Sequence, residues 1–156
     1  MLVRRIAVSG GPGAGKTTLW RSLAAAHPAL LLPVPEVATL LLSHVFPAVQ
    51  NESERGAVQR AIFAVQHNLE QVYESRASGN QVLLCDRGSP DGAGYWPAGP
   101  DHFFGSMQTA WQVEVSRYDA VVFMESGAGG GVWIAGGKVV RTQNIAPPPS
   151  QDPHIP

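Results

Sequence analysis

A chain of 156 residues with 44% hydrophobic content is long enough for one domain with a substantial core, and too apolar to be read as disordered. Its formal net charge of −1 excludes an overall basic footprint for nucleic acid or an anionic membrane surface. The single cysteine, Cys85, excludes an internal disulfide and reads as a buried strand residue in a reducing compartment. The apolar stretch behind Arg4 and Arg5 stops at Ser9, too short for a signal-peptide core or a membrane span, so a cytoplasmic location is expected.

In chain order, Leu2–Ser9 is mostly apolar, as a strand buried on both sheet faces should be. The stretch Gly10-Gly11-Pro12-Gly13-Ala14-Gly15-Lys16-Thr17-Thr18 follows and fits the phosphate-loop pattern G-x-x-x-x-G-K-[ST]. Its glycines let successive backbone N–H groups turn inward into an anion-binding concavity. The first turn of the next helix adds unsatisfied N–H groups and a positive dipole end. Gly11, Pro12, Gly13, Ala14, Gly15, Lys16, Thr17 and Thr18 are therefore the candidate triphosphate-binding residues. Lys16 would reach the β- and γ-phosphates, and the Thr17 hydroxyl would ligate magnesium. A helix is predicted from Lys16 to about His27, closed by Pro28.

Leu30-Leu31-Leu32 and Val34 read as a second strand, which Pro33 and Pro35 make short or place near an edge. Glu36 stands at its end and opens a helix, Val37–Phe46. A parallel sheet would project Glu36 into the crevice that holds the phosphate loop. There it reads either as the carboxylate that orients an acceptor hydroxyl and takes its proton, or as an acid favouring the helix dipole. Residues Asn51–Ser78 predict the longest helix, with Val58, Ile62, Val65, Leu69 and Val72 inward and Arg60, Glu70 and Glu74 on other faces. Val82–Cys85 is a third strand, ending in Asp86-Arg87-Gly88. Asp86 reads as a carboxylate that holds magnesium beside the loop, or as a turn or cap residue. Arg87 reads as a partner for a transferring phosphoryl group, or as half of a structural ion pair. The loop Ser89–Gly105 is expected to cover the crevice, with Tyr95 and Trp96 stacking on a planar ligand or packing against the sheet.

Asp119–Met124 is a fourth strand, and apolar runs around Gly136-Gly137 suggest a hairpin. The fold class is thus α/β: a three-layer phosphate-loop fold with a mainly parallel sheet of about four strands and an irregular Gly/Pro-rich C-terminal tail. Residues 1–141 form the domain; 142–156 hold too many prolines for a helix and read as a disordered tail.

The sequence resembles the NadR-like AAA domains, a branch of phosphate-loop ATPases and kinases related to nicotinamide riboside kinase. The resemblance rests on Ser9 to Thr18, on Val34-Pro35-Glu36, and on the run from Cys85-Asp86-Arg87-Gly88 to Tyr95-Trp96, with a weaker echo from Arg117 to Ser126. It implies binding of a nucleoside triphosphate and magnesium through Lys16, Thr17 and Asp86, and leaves the acceptor open. Similar domains continue with lid helices and a last core strand where this chain has prolines. The expectation is therefore slow turnover, and self-association through an exposed sheet edge beside Asp119–Met124.

Two function classes follow. One is a magnesium- and ATP-dependent phosphotransferase acting on a small hydroxyl-bearing, nucleoside-like metabolite. The other is a nucleotide-dependent switch, or an inactive short form. No Asn/Thr-Lys-x-Asp signature for guanine is present, which favours ATP.

Overall fold

Unbroken apolar runs cannot sit on a half-wetted sheet, and in the computed structural model of the chain they form central parallel strands covered on both faces. The structure describes residues 3–124 in full, and the backbone of 130–134 and 138–141. The order is β1 (Arg5–Gly10), α1 (Lys16–Ala26), β2 (Leu31–Val34), α2 (Val37–His44), α3 (Glu52–Arg76) and β3 (Val82–Asp86). A 3₁₀ helix (Ser89–Tyr95) follows, then α4 (Pro100–Ser106), α5 (Trp111–Val115), β4 (Ala120–Met124), β5 (Gly130–Ile134) and β6 (Lys138–Arg141).

The sheet order is β2-β3-β1-β4-β5-β6. β1 is parallel to both β3 and β4, and β2 is parallel to β3, which gives the expected four parallel strands. β2 is an edge strand, as its prolines require, because Pro33 has no N–H to offer an outer neighbour.

One expectation is corrected at the other side. β4 has no open flank: β5 pairs antiparallel with it from Ala120↔Ile134 to Met124↔Gly130, and β6 pairs antiparallel with β5. The hairpin anticipated around Gly136-Gly137 therefore joins the main sheet. Its first strand satisfies the backbone groups of β4 that would otherwise invite another chain. Self-association through an exposed edge of β4 is accordingly withdrawn. The proline-rich stretch 142–156 lies outside the described residues.

Two core clusters make three layers. Val8, Leu31, Val82 and Leu84 pack with Leu19, Trp20 and Leu23 of α1 on one face. Trp20 also donates its indole N–H to the Leu84 carbonyl at 2.8 Å. On the other face Ala7, Val34, Leu83, Cys85 and Tyr118 meet Leu69, Tyr73 and Ala77 from α3 and its C-terminal end. Among the described residues no helix is long and apolar enough to cross a membrane.

α3 begins at a reciprocal cap. Asn51 Oδ1 accepts the Glu54 N–H at 2.9 Å, and the Glu54 carboxylate accepts the Gln50 N–H at 2.8 Å. Its inward stripe differs from the expected one. Val65 and Val72 are 39% and 45% exposed, whereas Gln66 and Glu70 are 3% and 0% exposed. Glu70, assigned above to an outer face, points inward because its partners Arg117 and Tyr118 arrive from just before β4. A carboxylate so paired can be buried.

Candidate active site

β1 sits between two parallel neighbours, so its carboxyl end opens onto the crevice where parallel sheets bind ligands. Gly10 ends the strand at φ 135°, and a Cβ there would lie 2.1 Å from the Met124 carbonyl oxygen. Only glycine lets the chain turn beside β4. Gly15 is the N-cap of α1, and Lys16, the first helical residue, is buried with its ammonium folded back to donate to the Gly11 carbonyl at 2.6 Å. Pro12 and Gly13 at the loop tip, and Thr18 in the first turn of α1, are exposed. Gly11 and Ala14 are partly exposed.

Asp86, the last residue of β3, is 2% exposed. Its Oδ2 accepts the Thr17 hydroxyl at 2.9 Å, while Oδ1 is buried without a hydrogen-bond partner. Burial pushes its carboxyl up from the ordinary value, the Thr17 hydroxyl opposes that, and the Glu36 charge adds to the rise. A hydroxyl and a carboxylate oxygen left unpartnered are hard donors suited to magnesium.

The structure brings Arg87 and Glu36 together. Arg87 takes a left-handed conformation (φ 74°), which turns its side chain across the crevice. Its Nε lies 2.5 Å from Glu36 Oε1, an ion pair whose angle is not that of a hydrogen bond. Its Nη1 donates to the Tyr95 hydroxyl at 3.1 Å, and the guanidinium lies 5.6 Å from that ring's centroid. Burial lowers the Arg87 guanidinium, but the Tyr95 hydrogen bond and Glu36 outweigh it and hold it above its ordinary value. The other Glu36 oxygen accepts the Thr39 hydroxyl at 2.6 Å, within the first turn of α2. Glu36 is the N-cap residue of α2, and it lines the cavity beside Arg87.

A cavity of ≈ 330 Å³ opens beside the phosphate loop. Glu36, Arg87, Asp91, Tyr95, Gln59 and Gln66 supply its polar side, and Val37, Leu42, Ile62, Phe63 and Phe103 its apolar side. The Ser89–Gly105 segment covers it as expected, but as two short helices rather than an irregular loop. Tyr95 is 39% exposed with the Arg87 guanidinium over its ring, while Trp96 is 9% exposed and packs with Phe103, Gly56 and His102. Its packing partners are helices, not the sheet.

Two groups of residues escaped the sequence reading. Asp91, on the 3₁₀ helix, accepts the Ser9 hydroxyl at 2.9 Å on both carboxylate oxygens. The second group is a polar network behind the Asp86-Arg87-Gly88-Ser89 turn. Glu70 accepts from Arg117 at 2.6 Å, Tyr118 at 2.7 Å and Gln66 at 2.6 Å. The Tyr118 hydroxyl accepts the Ser89 N–H at 2.7 Å, and Glu114 accepts the Ser89 hydroxyl at 2.6 Å. Burial pushes the Glu114 carboxyl up, but the Ser89 and Thr109 hydroxyls and His67 bring it below its ordinary value. Burial, then the Arg117 charge, lowers His67 despite Glu114. The network clamps the turn that aims Arg87. The legible signal was a polar i,i+4 pair, Gln66 and Glu70, inside an otherwise inward-facing helix.

A family model described as an AAA domain matches residues 5–143. Among solved structures, a cysteine-to-alanine mutant of the Mycobacterium tuberculosis APS kinase CysC is similar at 10% identity. That alignment covers 80% of this chain and 76% of that one, with a TM-score of 0.42. A comparison with curated proteins found no match.

Proposed function

The chain belongs to this AAA domain family, and from that premise we propose that it is a magnesium-dependent phosphotransferase of the NadR-like branch, moving the γ-phosphoryl group of ATP to a small hydroxyl-bearing metabolite. One observation carries the reading: the phosphate loop and a ≈ 330 Å³ cavity share a wall, with Pro12 on one side and Glu36 and Arg87 on the other. A nucleotide switch needs the loop but has no use for an adjoining pocket of metabolite size.

In this reading the backbone N–H groups of residues 11–18 and the Lys16 ammonium hold the β- and γ-phosphates. Thr17 and Asp86 would hold magnesium, whose charge neutralises the phosphate oxygens when it is bound. Glu36, fixed by Arg87 and Thr39, orients the acceptor hydroxyl toward the γ-phosphorus. Arg87 adds positive charge where phosphoryl oxygens gather it. The apolar side of the cavity takes a ring or hydrocarbon portion of the acceptor, and Tyr95 offers its ring at the rim.

The test is ADP release from magnesium–ATP with and without a panel of ribonucleosides and small polyols. Acceptor-dependent release supports the proposal. Release that no acceptor changes, with tight ATP binding, would instead support the switch reading.

A further inference from the structure

We infer that Asp91 is the residue that takes the proton from the acceptor hydroxyl, leaving Glu36 as the group that orients it. This rests on the phosphotransferase reading above and adds a catalytic residue to it. Asp91 lines the same cavity as Glu36 and Arg87, and its carboxylate is tied to Ser9, the residue directly before the phosphate loop. It therefore stands where the cavity meets the end of β1, one residue before the phosphate loop begins.

The Asp91 carboxylate takes the Ser9 hydroxyl across its two oxygens and meets the Gly88 backbone, and with about four lone-pair sites it keeps room for a substrate hydroxyl. Glu36 differs in its partners: one oxygen is ion-paired with the Arg87 guanidinium at 2.5 Å, and the other accepts the Thr39 hydroxyl at 2.6 Å. A proton arriving on Glu36 would break the pair that aims Arg87.

Burial raises the Asp91 carboxyl from 3.8 to about 6, against the Ser9 hydroxyl, the Arg87 charge, the Gly88 backbone and the Lys16 charge. A base poised there is ionised at neutral pH and still strong enough to accept a proton. The charged or titratable groups around it are Lys16 from α1, Arg87 from the β3 turn, Glu36 from the end of β2, and Tyr95 on its own helix. α3 contributes only the uncharged Gln59 and Gln66 to the cavity's polar side.

The acceptor oxygen forms a bond to the γ-phosphorus, and the bond from that phosphorus to the β,γ-bridging oxygen breaks. ADP leaves with the electron pair, and the hydroxyl proton moves to an Asp91 oxygen.

The experiment measures ADP release from magnesium–ATP across pH, with water alone and with the four common ribonucleosides as acceptors, and nucleotide affinity by calorimetry. The proteins are wild type, Asp91→Asn, Ser9→Ala and Glu36→Gln. Asp91→Asn should lose about a hundredfold or more in turnover at unchanged nucleotide affinity, and its acid limb should vanish. Ser9→Ala removes a bond to the ionised carboxylate, so its acid limb should move to higher pH. Glu36→Gln should keep the limb, whatever its rate. Wild-type turnover and limb in Asp91→Asn, or loss of the limb in Glu36→Gln alone, would overturn the assignment. A wild type that binds ATP and turns over none of it, with water or any nucleoside, would overturn the phosphotransferase reading and this inference with it.

Discussion

Glu70→Gln tests the buried network most sharply. The substitution keeps the shape of a side chain that is fully buried and accepts three hydrogen bonds, from Arg117, Tyr118 and Gln66. An amide has one accepting oxygen, so at least one donor now faces an N–H group, and the Arg117 charge loses its nearest counter-charge at 2.6 Å. Removing one member of a buried pair costs about 3–5 kcal/mol. The lower end applies here, because Arg117 is 15% exposed and keeps Glu114 at 3.5 Å. For a domain of this size about 3 kcal/mol corresponds to a fall in Tm of roughly 6–12 °C. Tyr118→Phe should cost less, about 1–2 kcal/mol, and the double variant should fall short of the sum because both changes touch one network. Thermal unfolding followed by circular dichroism reads all three. A Glu70→Gln protein with the wild-type Tm would refute the burial and pairing on which the Arg87 turn is argued to depend.

Gly10→Ala should be severely destabilised, by about 3 kcal/mol or more, because its Cβ has no room beside the Met124 carbonyl. Gly13→Ala, at φ 70° with nothing within 4 Å of the added carbon, should lose only about 1–2 kcal/mol; denaturant melts separate the two. Asp86→Asn should lose magnesium-dependent turnover far more than ATP affinity, since the metal acts on charge in the transition state; steady-state kinetics beside calorimetry would show it. Asp91 gives a pH signature in stability. Its folded carboxyl is raised, so its favourable contribution is present below the unfolded value of 3.8 and is lost as pH rises to about 6. Asp91→Asn should therefore flatten that decline and match or exceed the wild-type Tm at mildly alkaline pH.

The layers of the fold were legible because short-range signals agreed. Apolar runs marked β1, β3 and β4, and the glycines and Lys16 marked the loop between β1 and α1. Prolines placed β2 at the edge. What stayed hidden depends on partners distant in sequence. Glu70 scores as a surface residue until Arg117 and Tyr118 come to meet it, 47 and 48 positions later. Asp91 looks like a turn former in a Gly/Pro-rich run until Ser9 is found 82 positions earlier. The segment holding α5 has no strong period of its own, and its buried Glu114 is fixed by Ser89, Thr109 and His67. Pairing of β5 with β4 was missed for a related reason: a hairpin can be read from local sequence, but the strand it adds to cannot.

The central claim is that the loop after β1 holds the triphosphate of a magnesium nucleotide. Calorimetric titration of magnesium–ATP into wild type and Lys16→Ala tests it most directly. Lys16 is a buried cation folded over the loop, and its ammonium donates to the Gly11 carbonyl. The expected result is measurable binding to wild type and a loss of about a hundredfold or more in Lys16→Ala, with an unchanged thermal melt without ligand. Equal affinity in the two proteins, or no binding to a folded wild type, would contradict the account.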